Sequence, residues 1–254
     1  EIYNLAAQSH VKISFQIPEY TSDVNALGTL RLLEIIRHYK KKKIKFYQAS
    51  SSEMFGKSKP PQNEKTLFQP RSVYAISKVF AYHSVIHYRD AYALHACNGI
   101  LFNHESPRRG VNFVTKKIVQ GLVRIKQGKQ KMLILGNLYS RRDWGHANDY
   151  VESMWKILQQ KKANDFVIAT KTSNSVKDFI NICAKKLNIK LIWKNKGLKE
   201  IAINKLTNKT IIKVDQKYFR ETEVDNLVGD FSKARRLLKW KPKYSFDKLI
   251  DDMI

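Results

Sequence analysis

Hydrophobic and polar positions in the first part of the chain predict strands that alternate with long helices. Short apolar runs indicate buried strands at 1–6, 44–49 and 98–102, and apolar residues at helical spacing predict helices at 23–39 and 72–92. This alternation is typical of a parallel sheet that is covered by helices. We therefore expect an α/β fold built on a doubly wound parallel sheet.

After Gly110 the pattern loosens into shorter elements, which predict a smaller mixed α/β lobe. The helices expected there are 113–126, 147–160, 176–187, 232–238 and 246–253, and the strands are 131–135, 166–169, 191–193 and 211–214. We expect residues 1–110 to belong to one domain and residues 111–254 mainly to the second lobe. The segment 147–170 is expected to pack back onto the first domain.

The glycine pattern departs from that of a complete nucleotide-binding fold. A Rossmann-like fold normally begins with a strand, a glycine-rich turn and a helix. Only 10 glycines are present, and none stands in G-x-G-x-x-G or G-x-x-G-x-x-G. Our expectation is a Rossmann-like domain that is incomplete at its N-terminal side.

Composition and charge narrow the possible functions. The hydrophobic share of 43% is globular, and the net charge is +25. This charge has two readings: a polyanionic partner, or a lysine-rich solvated surface with a phosphate-bearing small ligand. The basic residues are spread along the chain, as in the run 40–43 and the pairs 116–117 and 161–162, and no zinc or RNA-binding signature accompanies them. We therefore expect neither a nucleic-acid partner nor a metal.

The compartment is indicated by apolar runs and cysteines. No run is long enough to span a bilayer, and no signal peptide opens the sequence. Cys97 and Cys183 are isolated in apolar contexts, which argues against disulfides. The expectation is a cytoplasmic protein without membrane contact.

A tyrosine followed four residues later by a lysine occurs three times, at Tyr39, Tyr74 and Tyr244. On a helix this spacing places both side chains on one face, where most such pairs are solvated. Only Tyr74 and Lys78 follow a strand that runs into hydroxyls and a carboxylate, in the segment 50–53. An ammonium beside a phenol favours the phenolate, so this pair is the candidate for proton transfer.

Glu53 extends the candidate chemistry beyond alcohol oxidation. A tyrosine, a lysine and a hydroxyl suffice to oxidise an alcohol with a nicotinamide cofactor, and a carboxylate adds a second proton acceptor. Such a base can remove the acidic C–H next to a new ketone and so expel water. The alternative is that Glu53 only caps or decorates its loop.

Six segments carry a resemblance to a known family. NLAAQSHV, FYQASSSEMFG, PRSVYAISK, GILFNHESPRRG, RDWGHANDYV and YFRETEVDNLVGD resemble the GDP-mannose 4,6-dehydratases, which are extended short-chain dehydrogenases/reductases. The similarity runs from Glu1 to Ile254. It implies a hydro-lyase that converts GDP-mannose to GDP-4-dehydro-6-deoxy-D-mannose with bound NADP, the first step toward GDP-fucose and other deoxyhexoses. The first domain would then bind NADP, and the second lobe the sugar nucleotide.

The resemblance also assigns catalytic roles. Tyr74 would deprotonate the mannose 4-hydroxyl, and Lys78 would lower the tyrosine pKa and hold the nicotinamide ribose. Ser51 would orient the substrate oxygen. Glu53 would take the C5 proton and help water to leave from C6.

Binding residues follow from the same resemblance. Besides Tyr74 and Lys78, those implied for the cofactor are Leu5, Ala6, Ala7, Gln8, Ser9, Tyr20, His104 and Arg109. Those implied for the sugar nucleotide are Asn103, Lys117, Arg142, Arg220 and Glu223. Arginine forks suit a diphosphate, and a carboxylate can accept hydrogen bonds from ribose or guanine.

The sequence departs from the family pattern at three places. Val73 stands where proline is usual, the segment 197–210 matches poorly, and the glycine-rich start is absent. Because backbone amides of that turn normally hold the cofactor pyrophosphate, we expect these 254 residues alone to bind NADP poorly and to turn over little substrate. Micromolar binding in isothermal titration would contradict this expectation.

Other functions stay open at this point. One is another NAD(P)-dependent sugar-nucleotide dehydratase or epimerase on the same fold, and another is a non-catalytic remnant of the fold. The resemblance further suggests a homodimer or homotetramer, built through the helices predicted at 23–39 and 72–92.

Overall fold

The computed structural model describes residues 1–39 and 43–254, so positions 40–42 of the basic run lie outside the described residues. Its helices are α1 (Pro18–Ser22), α2 (Gly28–His38), α3 (Val73–Tyr92), α4 (Val114–Lys126), α5 (Ala147–Leu158), α6 (Val176–Lys186), α7 (Ser232–Leu238) and α8 (Phe246–Met253). Its strands are β1 (Ile2–Asn4), β2 (Lys45–Ser51), β3 (His95–Leu101), β4 (Asn103–Glu105), β5 (Leu133–Leu135), β6 (Arg141–Arg142), β7 (Trp144–His146), β8 (Phe166–Ile168), β9 (Asn174–Ser175), β10 (Leu191–Lys194), β11 (Ile201–Asn204) and β12 (Lys209–Val214).

A parallel sheet in the order β1–β2–β3–β8 carries the first part of the chain. Alternate residues of its strands point to opposite faces. Phe46 packs with α2 and α3 on one face, whereas Tyr47 packs with α5 and α7 on the other. Helices thus cover both faces, and the predicted doubly wound, Rossmann-like α/β fold is confirmed.

A second sheet, in the order β10–β11–β12–β5, forms the other part of the molecule. Its first three strands are antiparallel, and β12 pairs with β5 in parallel. Buried apolar residues of this sheet form one core cluster with those of α4, α6 and α8. The sequence did not predict β11, because only four residues form it and polar positions surround it.

Two predicted boundaries differ from the structure. The helical region begins at Pro18 rather than at residue 23, because proline is favourable at the first position of a helix. A π-helical turn, Asp23–Leu27, then joins α1 to α2. In addition, β2 continues through Ser51, so two of the expected loop hydroxyls belong to the strand itself.

The later part of the chain returns to the first sheet. β8 pairs with β3 in parallel, and α5 packs against the face that carries Tyr47. These contacts fit the expected packing of 147–170 onto the first domain, while the division into two functional lobes stays a prediction. In residues 1–39 and 43–254, no helix has the length and apolar character that crossing a bilayer requires.

Candidate active site

A cleft of about 430 Å³ lies where the carboxyl ends of the parallel strands meet the second lobe. Ligands of open α/β sheets bind at this edge, because the loops that follow the strands diverge there. Of the residues predicted for catalysis and binding, those that line the cleft are Leu5, Ala7, Ser9, Ser51, Glu53, Tyr74, Lys78, Asn103, His104, Arg109, Lys117, Arg142, Arg220 and Glu223.

Helix α3 presents Tyr74 and Lys78 to this cleft. The Ser72 hydroxyl caps the helix by accepting a hydrogen bond from the Ala75 amide, so Tyr74 sits in the first turn. The Lys78 ammonium donates to the Ala49 carbonyl at 2.9 Å and lies 6.0 Å from the centroid of the Tyr74 ring. Both side chains are buried. The hydrogen bond therefore ties the lysine to strand β2, next to the tyrosine.

Burial dominates the proton affinities of this pair. It raises the pKa of the Tyr74 phenol; a hydrogen bond from Ser51 lowers that pKa, the Glu53 charge raises it, and the Arg109 charge lowers it. The sequence led us to expect a lowered value, but the structure reverses the direction because the desolvation effect is the largest. Burial also lowers the pKa of Lys78 to about 8.

Ser51 and Glu53 come from the end of β2 and the short 3-10 helix that follows it. The Ser51 hydroxyl accepts a hydrogen bond of 3.2 Å from the Glu53 amide, which fixes the turn. Both side chains are buried, yet both face the cleft. The turn therefore places a hydroxyl and a carboxylate on the same wall.

Two arginines approach the Glu53 carboxylate from the second lobe. Arg220 Nη1 lies 3.4 Å and Arg142 Nε 4.0 Å from Glu53 Oε1. Arg142 is tied to the loop at Val224, since its Nη1 donates to the Val224 carbonyl at 2.7 Å. Glu223 accepts from the Arg220 amide at 3.2 Å. The buried carboxylate is thus balanced by fixed positive charge.

Arg109 and His104 form the wall on the β4 side. Arg109 Nε lies 3.0 Å from the buried Glu105 carboxylate, and its guanidinium stacks on Phe113 at 3.6 Å. Among the described residues this Nε has no well-directed hydrogen-bond acceptor, so the contact is electrostatic. The ion pair orients the arginine along the cleft wall.

The segment after β1 brings only part of its predicted set to the cleft. Leu5, Ala7 and Ser9 line it. Gln8 does not line it; the Asn25 side chain accepts from the Gln8 backbone amide at 2.8 Å and donates to the Gln8 backbone carbonyl at 3.1 Å. Ala6 does not line the cleft, and Tyr20 is 60% exposed on α1, outside the wall. The structure does not bring these three residues to the site.

Several lining residues were missed by the sequence reasoning. They include His10, Lys12, Asn112, Asn137 and Tyr218. The Lys117 ammonium lies over the Tyr218 ring, 3.7 Å from its centroid. These lining residues come from four separate parts of the chain, in loops and short 3-10 helices. A lysine in a chain with 47 basic residues gave no usable signal. Among the described residues, no group of three or more His, Cys, Asp and Glu side chains is arranged to hold a metal ion.

The doubly wound sheet and this arrangement of tyrosine, lysine and strand-end hydroxyl define a short-chain dehydrogenase/reductase. Within that class, the model of the family described as GDP-mannose 4,6 dehydratase matches residues 1–253. The chain belongs to this family.

Sequence relatives agree with the family assignment. A GDP-mannose 4,6 dehydratase of Drosophila melanogaster is 52% identical over 256 residues, covering 100% of this chain and 65% of the relative. GDP-mannose 4,6 dehydratase 1 of Arabidopsis thaliana is 53% identical, covering 100% of this chain and 66% of the relative. The GDP-mannose 4,6-dehydratase of Vibrio cholerae is 51% identical, covering 100% of this chain and 71% of the relative. The chain thus spans about two thirds of the length of these relatives, and slightly less for the first two.

Solved structures share the fold. RMD from Pseudomonas aeruginosa, complexed with NADPH, superposes with a TM-score of 0.84 at 21% identity, covering 99% of this chain and 78% of that protein. The dTDP-glucose 4,6-dehydratase of Bacillus anthracis, in complex with NAD, gives a TM-score of 0.77 at 21% identity, covering 100% and 71%. At this identity the likeness shows the architecture alone.

Proposed function

We propose that the protein that carries this chain is a GDP-mannose 4,6-dehydratase, a hydro-lyase that forms GDP-4-dehydro-6-deoxy-D-mannose on the route to GDP-fucose and other deoxyhexoses. The observation that carries the proposal is the meeting of Ser51, Glu53, Tyr74 and Lys78 on one cleft. The names of the relatives supply the substrate.

The cleft fits the nicotinamide part of a dinucleotide. Leu5, 55% exposed, offers an apolar surface at the cleft edge, and Lys78 offers an ammonium beside the phenol. His104 adds an imidazole to the lining of the same cleft. We propose NADP as the cofactor, supported by the NADPH complex of the Pseudomonas protein. The chemistry that this cofactor would supply is hydride transfer, from C4 of the sugar and back to C6.

Tyr74 acts on the sugar hydroxyl in this proposal. In its phenolate form, Tyr74 takes the proton from the 4-hydroxyl as that carbon is oxidised and so becomes a neutral phenol, while the Ser51 hydroxyl holds the same oxygen. Burial favours the neutral phenol in the free protein, so the phenolate forms by loss of its proton to solvent before this step. The Lys78 ammonium stabilises that phenolate, because an unscreened cation in a buried site acts strongly.

Glu53 removes the C5 proton once C4 is a ketone. That proton is acidic because the carbonyl stabilises the resulting carbanion. The 6-hydroxyl then leaves as water with a proton from the same carboxyl group, which restores the carboxylate. Arg142 and Arg220 hold Glu53 at its position. Arg220 and Lys117 lie on the second lobe, where guanidinium and ammonium groups suit the diphosphate of the substrate.

Isotope transfer tests this function directly. GDP-mannose that carries deuterium at C4 is expected to give a 4-keto product with the deuterium at C6, because one hydride is moved within the same sugar. In deuterated water, a solvent deuteron is expected at C5. Label that returns to C4 without loss of water would instead identify an epimerase.

We further propose a homodimer or homotetramer, which forms through the outer faces of α2 and α3. Ile76, Phe80, His83 and His87 form one exposed stripe along α3. Tyr20, Leu27 and Ile35 form a second on the neighbouring helices, and large apolar side chains in such stripes mark association surfaces.

Light scattering on the purified protein measures this association. Phe80→Glu is expected to convert the oligomer to monomers, whereas Leu206→Glu, at an exposed position outside these stripes, serves as the control. A monomeric unchanged protein would contradict the proposal.

We also propose a cytoplasmic location, since Cys97 and Cys183 are buried free thiols.

A further inference from the structure

The imidazole of His104 lies flat against the ring of Tyr150. The two ring centroids are 4.8 Å apart, and the planes are inclined by 21°. His104 lies on β4 and lines the cleft, whereas Tyr150 lies on α5 and is fully buried. One face of the histidine is therefore covered by an aromatic ring from a different element.

The hydrogen bonds of the imidazole determine its tautomer. Nδ1 lies 2.9 Å from the Phe102 carbonyl oxygen, which can only accept, so Nδ1 carries the proton. Among residues 1–39 and 43–254, Nε2 has no hydrogen-bond partner, and it is not among the fully buried polar atoms. The open nitrogen of a neutral ring thus offers a lone pair on the cleft side.

Gly145 makes the stacking possible. Strands β4 and β7 pair so that His104 lies beside Gly145, and a Cβ at position 145 would lie only 2.4 Å from Tyr150 Cε2. The chain then enters α5 at Ala147, which brings Tyr150 back over the histidine one turn later. The motif RDWGHANDYV therefore contains both the space and the ring that fills it.

The Tyr150 hydroxyl is not the reason for this arrangement. It is buried without a hydrogen-bond partner among the described residues. A buried hydroxyl that makes no hydrogen bond costs free energy, so the ring rather than the oxygen has a role.

The surroundings keep the imidazole uncharged. Burial lowers the pKa of His104 to about 4, the Phe102 carbonyl raises it, and the Arg109 charge lowers it. The other titratable groups facing this region are Glu105 on the same strand, His146 on β7, Tyr150 on α5 and the pair Tyr74 and Lys78 on α3. Glu105 is already paired with Arg109, so it offers little to stabilise a histidinium.

We propose that Tyr150 is a positioning residue: by lying flat on His104 it holds that ring as a neutral acceptor, whose Nε2 receives an N–H or O–H of the bound nicotinamide cofactor. This inference rests on the proposed function, which assigns the cofactor to the cleft. A protonated ring would present a donor at the same place and would reject the same group.

Nitrogen NMR of the labelled histidines tests the positioning without any cofactor. The His104 signals are assigned by their loss in His104→Gln. We expect an Nδ1-protonated neutral ring down to about pH 5 in the unchanged protein and in Tyr150→Phe, which keeps the ring, and titration near pH 6 in Tyr150→Leu. Gly145→Ala, which displaces the ring instead of removing it, is expected to shift the titration the same way. Thermal melts show which variants are folded.

Titration of NADP⁺ into the protein that carries this chain tests the ligand, because the 254 residues alone are expected to bind NADP poorly. From about pH 7.5 to about pH 5.5, affinity for Tyr150→Leu is expected to fall about fivefold more than for the unchanged protein or Tyr150→Phe. The comparison between variants cancels titration of the cofactor phosphate. Deamido-NADP⁺ carries a carboxylate in place of the carboxamide. With this analogue the difference between the variants should disappear if the carboxamide is the donor to His104, and it should persist if a ribose hydroxyl is the donor.

Three outcomes would overturn the inference. The first is an Nε2-protonated His104, and the second is a His104 that titrates between about pH 6 and 7 in the unchanged protein. The third is a Tyr150→Leu variant in which His104 titrates at the same pH as in the unchanged protein. Failure of the proposed function has a different signature. In that case the tautomer stays as described, but millimolar NADP⁺ leaves the His104 signals unmoved in every variant of the protein that carries this chain, and the assigned ligand is refuted.

Discussion

The three tyrosine–lysine pairs with the same spacing occupy very different environments. Tyr74 and Lys78 are buried at the end of strand β2 and face the cleft. Tyr39 is 46% exposed just after α2. Tyr244 stacks on His146 at 3.9 Å, and Lys248 is solvent-exposed on the first turns of α8.

The comparison shows that spacing supplies proximity but not reactivity. A lysine in water exerts a weak, screened field on a phenol. Burial strengthens the field of Lys78, and the end of β2 adds Ser51 and Glu53 to the same wall. The difference between the pairs therefore lies in what surrounds them, and substitutions can measure it.

Removing the reactive hydroxyl gives the largest expected effect. Tyr74→Phe should lower turnover of GDP-mannose by about 10³-fold or more, because the group that accepts the first proton is lost. Tyr244→Phe, which keeps the stacking on His146, should leave turnover unchanged. Product formation followed by NMR measures both, and equal losses would remove the distinction between the pairs.

The Glu53 carboxylate is expected to have the next largest effect. Glu53→Gln should lower formation of the dehydrated product by about 10²- to 10³-fold, since C5 loses its base. Oxidation at C4 should persist, so reduced cofactor is expected to accumulate on the protein and absorb in the near ultraviolet. The exposed Glu221→Gln serves as the control. Full activity of Glu53→Gln would favour an epimerase.

The Lys78 ammonium predicts a pH limit. Because burial lowers its pKa to about 8, the cation that supports the phenolate is lost as the pH rises above that value. Turnover at pH 9 is therefore expected to be about tenfold below its plateau. In Lys78→Arg any remaining activity should persist to higher pH, since a guanidinium stays charged. An unchanged decline in that variant would assign the limit to another group.

The same burial predicts a gain in stability when the charge is removed. The pKa of Lys78 is about 8 in the folded protein against the ordinary 10.5, so unfolding takes up protons between these values. The cost of burying the ammonium is fully present below pH 8 and disappears above 10.5.

Lys78→Met should therefore raise the free energy of unfolding by about 1 kcal/mol at neutral pH, after loss of the hydrogen bond to Ala49. Denaturant titrations at neutral and alkaline pH measure this gain, which should shrink as the pH rises. Lys248→Met, at the exposed pair, should change little. A loss of stability in Lys78→Met would show that the ammonium is well compensated.

Much of the fold was predictable because its long elements have strong patterns. The helix at 72–92 and the strands at 44–49 and 98–102 appear with boundaries within a few residues. The short strands β4, β7 and β11 were missed, because three or four residues carry too little periodicity and form only where a partner strand is supplied.

The candidate site divides in the same way. Ser51, Glu53, Tyr74 and Lys78 could be selected because a strand end and a helix start lie close together in sequence. Tyr20 was selected by resemblance, yet the structure leaves it exposed on α1. Tyr150 was not selected, because its partner His104 is distant in the chain and a ring on an amphipathic helix gives the same pattern as ordinary core packing.

Local patterns and motifs of neighbouring residues were sufficient to predict the class of fold and the family and to select candidate proton-transfer groups. The charge state of those candidates depends on the folded molecule. Burial depends on elements from the whole chain, and desolvation sets the direction of the pKa of Tyr74, Lys78 and His104. A protein of this composition could hold the same residues in water, where the same spacing would do no chemistry.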